Sequence, residues 1–193
     1  MTADRLCETR WLQRVLDCLA DFKRANTSNA LSALRDRLSA LAAAEDAPRV
    51  LNFASEGDEF RRHPIASVEN LDCSALLMYW PAGHATLPHD HAGLWGIEVV
   101  VDGNLDVDEY TKPGPADQPT LTFVRSLCLT AGDAAMFTSE QYVHRCRNRS
   151  NTSATLTLHI YGGVLAAYTA FECDAAGRIA PALRSTVNDR ALS

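Results

Sequence analysis

Several signatures are missing from this 193-residue sequence. No stretch approaches the ~18 consecutive apolar residues that a membrane span needs, and the N-terminus carries no basic-then-apolar leader. Positive charge is in deficit: 18 Lys and Arg stand against 24 Asp and Glu, a formal net charge of −6. That balance argues against a basic nucleic-acid face. The six cysteines, at 7, 18, 73, 128, 146 and 173, include no Cys-x-x-Cys pair, which excludes a zinc ribbon and leaves reduced thiols as the expectation. Aromatic residues are sparse at 7%, and no internal repeat or low-complexity segment stands out. A cytoplasmic protein with neither a membrane nor a nucleic acid as partner is expected.

What is present is an ordinary globular composition. Hydrophobic residues make up 47% and charged residues 22%, enough for a sizeable core and too apolar for a disordered chain. The length fits a single domain, 1–193. Leu12, Val15, Leu16 and Leu19 follow the spacing of one helical face, and Leu31, Leu34, Leu38 and Leu41 repeat it. Thr27-Ser28-Asn29 suits the start of the second helix, and Pro48 closes the helical stretch. Residues 1–49 hold eight Lys or Arg and seven Asp or Glu, so the acidic excess belongs to the remainder. So short a segment rarely folds alone, and residues 1–47 are read as a helical flank packed on a β core.

From about residue 70 the texture changes to short apolar or alternating runs between turn residues. Strands are expected at Ala75–Trp80, Trp95–Val101, Leu121–Leu129, Ala134–Thr138, Tyr142–Arg147 and Ala154–Tyr161. Pro81-Ala82-Gly83, Asp102-Gly103-Asn104, Lys112-Pro113-Gly114-Pro115 and Ala131-Gly132-Asp133 separate them. Many short strands at this spacing predict a sandwich or barrel over residues 48–183, with 184–193 as a loosely held tail.

His89-Asp90-His91 is the sharpest local signal. On an extended strand, residues i and i+2 point to one face, so both imidazoles project together. His144, in a later strand, supplies a third imidazole, and the three would close one face of a metal ion. Imidazole suits iron, zinc, copper or nickel, and the spacing does not choose among them. A His-x-His pair also occurs as plain surface or core decoration. In Leu156–Tyr161, alternation puts Thr157, His159 and Tyr161 on one face, either as a hydrogen-bonded chain into a cavity or as a solvated outer face.

In order along the chain stand Phe60-Arg61-Arg62, Trp80-x-x-Gly83-His84-x-x-x-Pro88-His89-Asp90-His91, Gly103-Asn104-Leu105, Gly132-Asp133, His144-Arg145 and His159-x-Tyr161. This ordered set resembles the cysteine dioxygenase (thiol dioxygenase) family of the cupin superfamily, from roughly Phe60 to Gly162. The resemblance implies a mainly β cupin, a double-stranded β-helix or jelly-roll barrel, here carrying two N-terminal α-helices. It implies an iron(II) cofactor held by His89, His91 and His144, and a relay of Thr157, His159 and Tyr161, with Thr157 where the family has serine. It also implies an arginine, Arg62 or its neighbour Arg61, that grips a substrate carboxylate bidentately. The implied activity is dioxygenation of a small, cysteine-like thiol to its sulfinic acid. The partners are then that thiol and dioxygen, with the protein a monomer or weak homo-oligomer.

Three departures from the family stand out. Gly96 occupies the position of a cysteine that some members cross-link to the pocket tyrosine, so Tyr161 is expected to stay unmodified. Val164–Phe171 holds no arginine, whereas relatives that oxidise 3-mercaptopropionate carry one there. Glu98 replaces an apolar residue, on the strand face that the Gly96 match turns toward the pocket. Its readings are a fourth metal ligand, a salt-bridge partner of Arg61 or Arg62, or a receptor for a substrate ammonium; a bulge would turn it to solvent instead. Cys146, two residues after His144, is read as a buried small hydrophobe in preference to an oxidisable thiol near the metal, and His63 and His84 as loop residues. Two other functions stay open: a three-histidine metalloenzyme that cleaves or isomerises a non-thiol, and a non-enzymatic ligand-binding cupin.

Overall fold

In the computed structural model, which describes residues 3–25, 29–65, 71–113, 120–173 and 179–188, the N-terminal leucine pattern forms two helices. These are α1 (Ala3–Arg24) and α2 (Ala30–Ala42). Trp11, Val15 and Leu19 of α1 and Leu34 and Leu38 of α2 are buried, and the Trp11 indole donates to the Leu41 carbonyl at 2.8 Å. Asn29 stands at the N-cap of α2 without a side-chain capping bond. Thr27 and Ser28 lie outside the described residues. A short 3-10 helix, Val50–Glu56, leads into the sheets.

The strands among the described residues are β1 (Arg61–Pro64), β2 (Ser74–Trp80), β3 (Gly96–Asp102), β4 (Asn104–Thr111), β5 (Thr122–Thr130), β6 (Ala134–Phe137), β7 (Tyr142–Arg147), β8 (Thr155–Tyr161), β9 (Ala167–Cys173) and β10 (Ile179–Ser185). All pairings are antiparallel. One sheet runs β1-β2-β8-β3-β6, a second β5-β4-β7, and β9 and β10 form a hairpin. Isolated bridges from Ala85 to Arg147, and from His89 to both His144 and Ala170, stitch β7 to the hairpin through residues 85–89. The protein is mainly β, built of antiparallel sheets with two N-terminal helices, as expected.

Period-two alternation divides the five-stranded sheet between two interiors. Ile97, Val99 and Val101 of β3, Leu156, Leu158 and Ile160 of β8, and Ala75 and Leu77 of β2 share one apolar cluster with the helices. Each fully buried aliphatic side chain there stabilises the fold by roughly 1.5–3 kcal/mol. The opposite faces carry Leu76, Met78, Trp80, Val100 and Tyr161, which pack with Leu105 and Val107 of β4 inside the barrel. Both faces of β8 are therefore buried, and a solvated outer face for Thr157, His159 and Tyr161 is excluded.

Two expectations are corrected. His89-Asp90-His91 is not a continuous strand: His89 forms a single-residue bridge, and the chain turns at once through Ala92 and Gly93, whose φ angles are 52° and 80°. Pro88, which lacks an N–H, and this left-handed turn leave no room for a longer ladder. The C-terminal segment is held further than expected, because Arg184 and Ser185 still pair with Tyr168 and Ala167, and Thr186 N–H donates to Ala166. Residues 189–193 lie outside the described residues. No described helix is long and apolar enough to cross a membrane.

Candidate metal centre and substrate cavity

Three imidazoles from two elements meet at one end of the barrel. His144 sits on β7, and its backbone exchanges both hydrogen bonds with His89, at 2.8 and 3.0 Å. The bridge brings His89 Nε2 to 3.2 Å from His144 Nε2. His91 follows two residues on, its ring centroid 4.7 Å from that of His144 and 5.2 Å from that of His89. One ligand atom from each of the three lies within 4.8 Å of the others. Burial, reinforced by the neighbouring imidazoles, drives the His89 pKa from 6.5 to about 3 and that of His91 well down. His89 and His91 are thus available as neutral donors.

Elements around this cluster fix each ring. Asp90, between the two histidines, accepts from the backbone N–H of Thr169 at 2.9 Å and of Ala92 at 3.3 Å, and its other oxygen takes the Lys112 ammonium. Burial opposes ionisation of Asp90, but Lys112 and the two N–H groups hold its pKa low. Phe137 of β6 stacks on His91 at 4.3 Å. The Phe137 ring also fills the space beside Gly96, where an added Cβ would meet Phe137 Cζ at 2.2 Å. Gly96 pairs with Tyr161 in register, so no side chain at the cross-link position reaches that phenol.

A cavity of about 470 Å³ opens onto the cluster, lined by His89, His144, Glu98, His159, Tyr161 and Arg62 among others. Arg62 is opposite Met78 in the β1–β2 register, on the cavity side. Arg61, the alternative considered above, is turned away: its guanidinium donates to the carbonyls of Gly57 at 2.7 Å and Phe53 at 3.0 Å and lies 4.3 Å over the Tyr79 ring. Trp80, Tyr168 and Arg184, to which the sequence assigned no site role, also line the cavity. His84 does too, stacked on Phe60 at 4.5 Å, whereas His63 is buried within β1.

Beneath the cavity runs a chain of polar groups. Trp80 Nε1 donates to Thr157 Oγ1 at 2.8 Å, Thr157 Oγ1 lies 2.8 Å from His159 Nε2, and His159 Nδ1 lies 3.2 Å from Tyr161 Oη. With the indole donating, the Thr157 hydroxyl is free to donate to His159 Nε2, an arrangement that puts the His159 proton on Nδ1 beside Tyr161 Oη and leaves the Tyr161 proton for the cavity. Burial, and then Glu98, raise the Tyr161 pKa well above its usual value, so the phenol keeps that proton.

Glu98 is 1% exposed and does not turn to solvent. Its Oε2 is 3.3 Å from His144 Nδ1 and its Oε1 is 3.3 Å from His159 Nδ1. Burial acts to raise its pKa, but the two imidazoles hold it well below the carboxylate range. Cys146, buried 3.6 Å from His144 Nδ1, keeps its thiol proton through burial and the nearby carboxylate. Cys18, Cys73, Cys128 and Cys146 are all free thiols.

The donor set fits a metal ion. Both ring nitrogens of His91 are buried and have no hydrogen-bond partner among the described residues, a costly state for imidazole unless a ligand bond satisfies one of them. A model of the cysteine dioxygenase type I family matches residues 35–173. Solved structures with partial likeness include an oxalate oxidase in complex with the substrate analogue glycolate, 18% identical with a TM-score of 0.41 over 54% of this chain and 50% of that one. Another is a hydroquinone 1,2-dioxygenase in complex with Cd2+ and 4-hydroxybenzonitrile, 11% identical with a TM-score of 0.45 over 58% of this chain and 69% of that one. The Schizosaccharomyces pombe Cnp3 cupin domain is 8% identical, with a TM-score of 0.42 over 54% of this chain and 61% of that one. This chain thus spans about half the length of the oxalate oxidase it matches.

Proposed function

The chain belongs to the cysteine dioxygenase type I family, a family of cupin metal-dependent dioxygenases, and from that membership we propose an iron(II)-dependent thiol dioxygenase. Its reaction takes a small thiol and one dioxygen to a sulfinic acid, RSH + O2 → RSO2H, with no other reductant. The observation that carries the reading is the convergence of His89, His91 and His144, with both His91 ring nitrogens buried and unpaired. These three residues would hold the iron as neutral ligands. Iron(II), when bound, supplies the redox chemistry that joins dioxygen to sulfur.

The remaining roles belong to the protein. Arg62 binds the substrate carboxylate from the cavity wall, which orients the thiol toward the histidine face. Tyr161 donates its hydroxyl hydrogen bond to substrate or dioxygen, fixed by His159 and Thr157 behind it. Phe60, Trp80 and Leu165 among the lining residues keep the far wall apolar and exclude water from the reacting end.

Anaerobic reconstitution with iron(II), zinc, copper or nickel, followed by oxygen uptake across thiols with and without a carboxylate, tests this. Uptake is expected with iron alone and with carboxylate-bearing thiols. Tight iron binding with no uptake for any thiol would instead favour chemistry on a non-thiol substrate.

A further inference from the structure

Glu98 is a buried carboxylate in a site already supplied with three neutral histidines, and neither the ligand set nor the relay requires it. A buried carboxylate persists only where it is paired, and both of its partners are functional groups. Of the readings open at the sequence level, a fourth ligand fits poorly: Glu98 falls outside the three-histidine cluster and groups with His144 and Cys146. It approaches His144 at Nδ1, at 3.3 Å, whereas Nε2 of the same ring faces His89 at 3.2 Å. The carboxylate therefore stands behind the ligand ring, away from the metal side. Its other oxygen lies 3.3 Å from His159 Nδ1 without a hydrogen bond among the described residues, so its charge bears on the relay imidazole while a hydrogen bond stays open on the cavity side.

We propose that Glu98 is a positioning residue that couples the metal face to the relay: its charge, 3.3 Å from Nδ1 of His144 through one oxygen and 3.3 Å from Nδ1 of His159 through the other, favours the Nδ1–H tautomer of both rings. This rests on His144 being a metal ligand. The tautomers agree independently. An Nδ1–H on His144 leaves its Nε2 lone pair for the metal. On His159 the Nδ1–H is the tautomer that donation from the Thr157 hydroxyl favours from the opposite end. A single carboxylate thus locks two rings on neighbouring walls of the barrel, β7 and β8, into one orientation.

Two consequences follow. A carboxylate behind a metal-bound imidazole raises the basicity of that ligand, and loss of such a partner typically costs ~10–100-fold in metal affinity. The extra negative charge also makes the metal face more electron-rich than three neutral histidines alone, favouring the oxidised over the reduced metal. The strand pairing explains why Glu98 can serve both rings: it is opposite His159 in the β3–β8 register, and its side chain points to the barrel interior, where β7 presents His144.

The test compares wild type with Glu98→Gln and Glu98→Leu, the latter restoring an apolar residue, and uses circular dichroism to confirm folding. Iron(II) affinity is measured by anaerobic titration, and nitrogen-15 NMR of the metal-free protein reads the His144 and His159 tautomers. Both variants should bind iron roughly 10–100-fold more weakly, and Nδ1 protonation of His159 should become mixed. Wild-type affinity with unchanged tautomers in both variants overturns the proposal. If His144→Ala binds iron as tightly as wild type, the metal assignment itself fails and the proposal with it. Neither readout requires a thiol substrate, so a failed search for substrate leaves this test intact.

Discussion

Thr157 sits between an indole that can only donate and the His159 imidazole, at 2.8 Å from each. Replacing it with valine keeps the shape and removes the hydroxyl, leaving the Trp80 N–H and His159 Nε2 unpaired in the core. Each buried group left unsatisfied costs ~1–3 kcal/mol, so Thr157→Val should lower Tm and slow turnover together, while Thr157→Ser should restore both. A Thr157→Val enzyme with wild-type kcat would remove the relay from the account. The role proposed for Arg62 is of a different kind, in substrate binding. Loss of its charge-assisted hydrogen bonds in Arg62→Ala should raise KM for a carboxylate-bearing thiol by roughly 10–100-fold, and leave KM for a thiol without a carboxylate nearly unchanged. Steady-state kinetics on the two substrates distinguishes these outcomes.

At the scale of elements, the segment from His89 to Leu94 depends on contacts remote in sequence. Asp90 ties it to β9 through the Thr169 N–H and to the end of β4 through Lys112. Lys112→Met should loosen the segment and strand a buried carboxylate, and we expect about a tenfold loss of iron affinity, read by titration against wild type. Gly96→Ala should destabilise by ~1–3 kcal/mol, since its Cβ would displace the Phe137 ring that packs on His91; denaturant unfolding gives the value. The helices and the strands β2, β3 and β5 to β8 were legible because their apolar periodicity is intact. β4 was not: its interior positions are Leu105, Val107 and Glu109, and the buried Glu109 is intelligible only with Arg125 at 2.6 Å on the neighbouring strand. β9 and β10 were also missed, their pairing being fixed by each other and by the His89 bridge. Three histidines could be picked out by spacing and resemblance, but the pairing of Glu98 with two of them could not, because it depends on strand register.

For the whole molecule, the metal and the fold are thermodynamically linked. The unfolded chain takes up protons on His89 and His91 near pH 6.5, while the folded metal-free protein resists, with His89 held down to about 3. Fewer protons bound in the folded state means stability that is intact above pH 6.5 and is lost as the pH falls below it, by ~1.4 kcal/mol per pH unit for each proton withheld. Thermal unfolding of the metal-free protein between pH 8 and pH 4 (roughly, the span over which such groups exchange protons) should show a plateau and then a fall. A Tm that stays level on acidification would mean that these imidazoles are not buried as described. Bound iron should raise Tm, by about 2.7 kcal/mol of added stability at a free concentration a hundredfold above Kd.

In the proposed reaction both atoms of one dioxygen join the sulfur of a thiol in the cavity. Mass spectrometry of the product formed under oxygen-18 gas by the iron(II)-loaded protein, with a carboxylate-bearing thiol, tests it most directly. The expected product is a sulfinic acid carrying two labelled oxygen atoms, absent from His144→Ala. A product with one labelled atom, an unlabelled disulfide, or no oxygen-dependent product at all would contradict it.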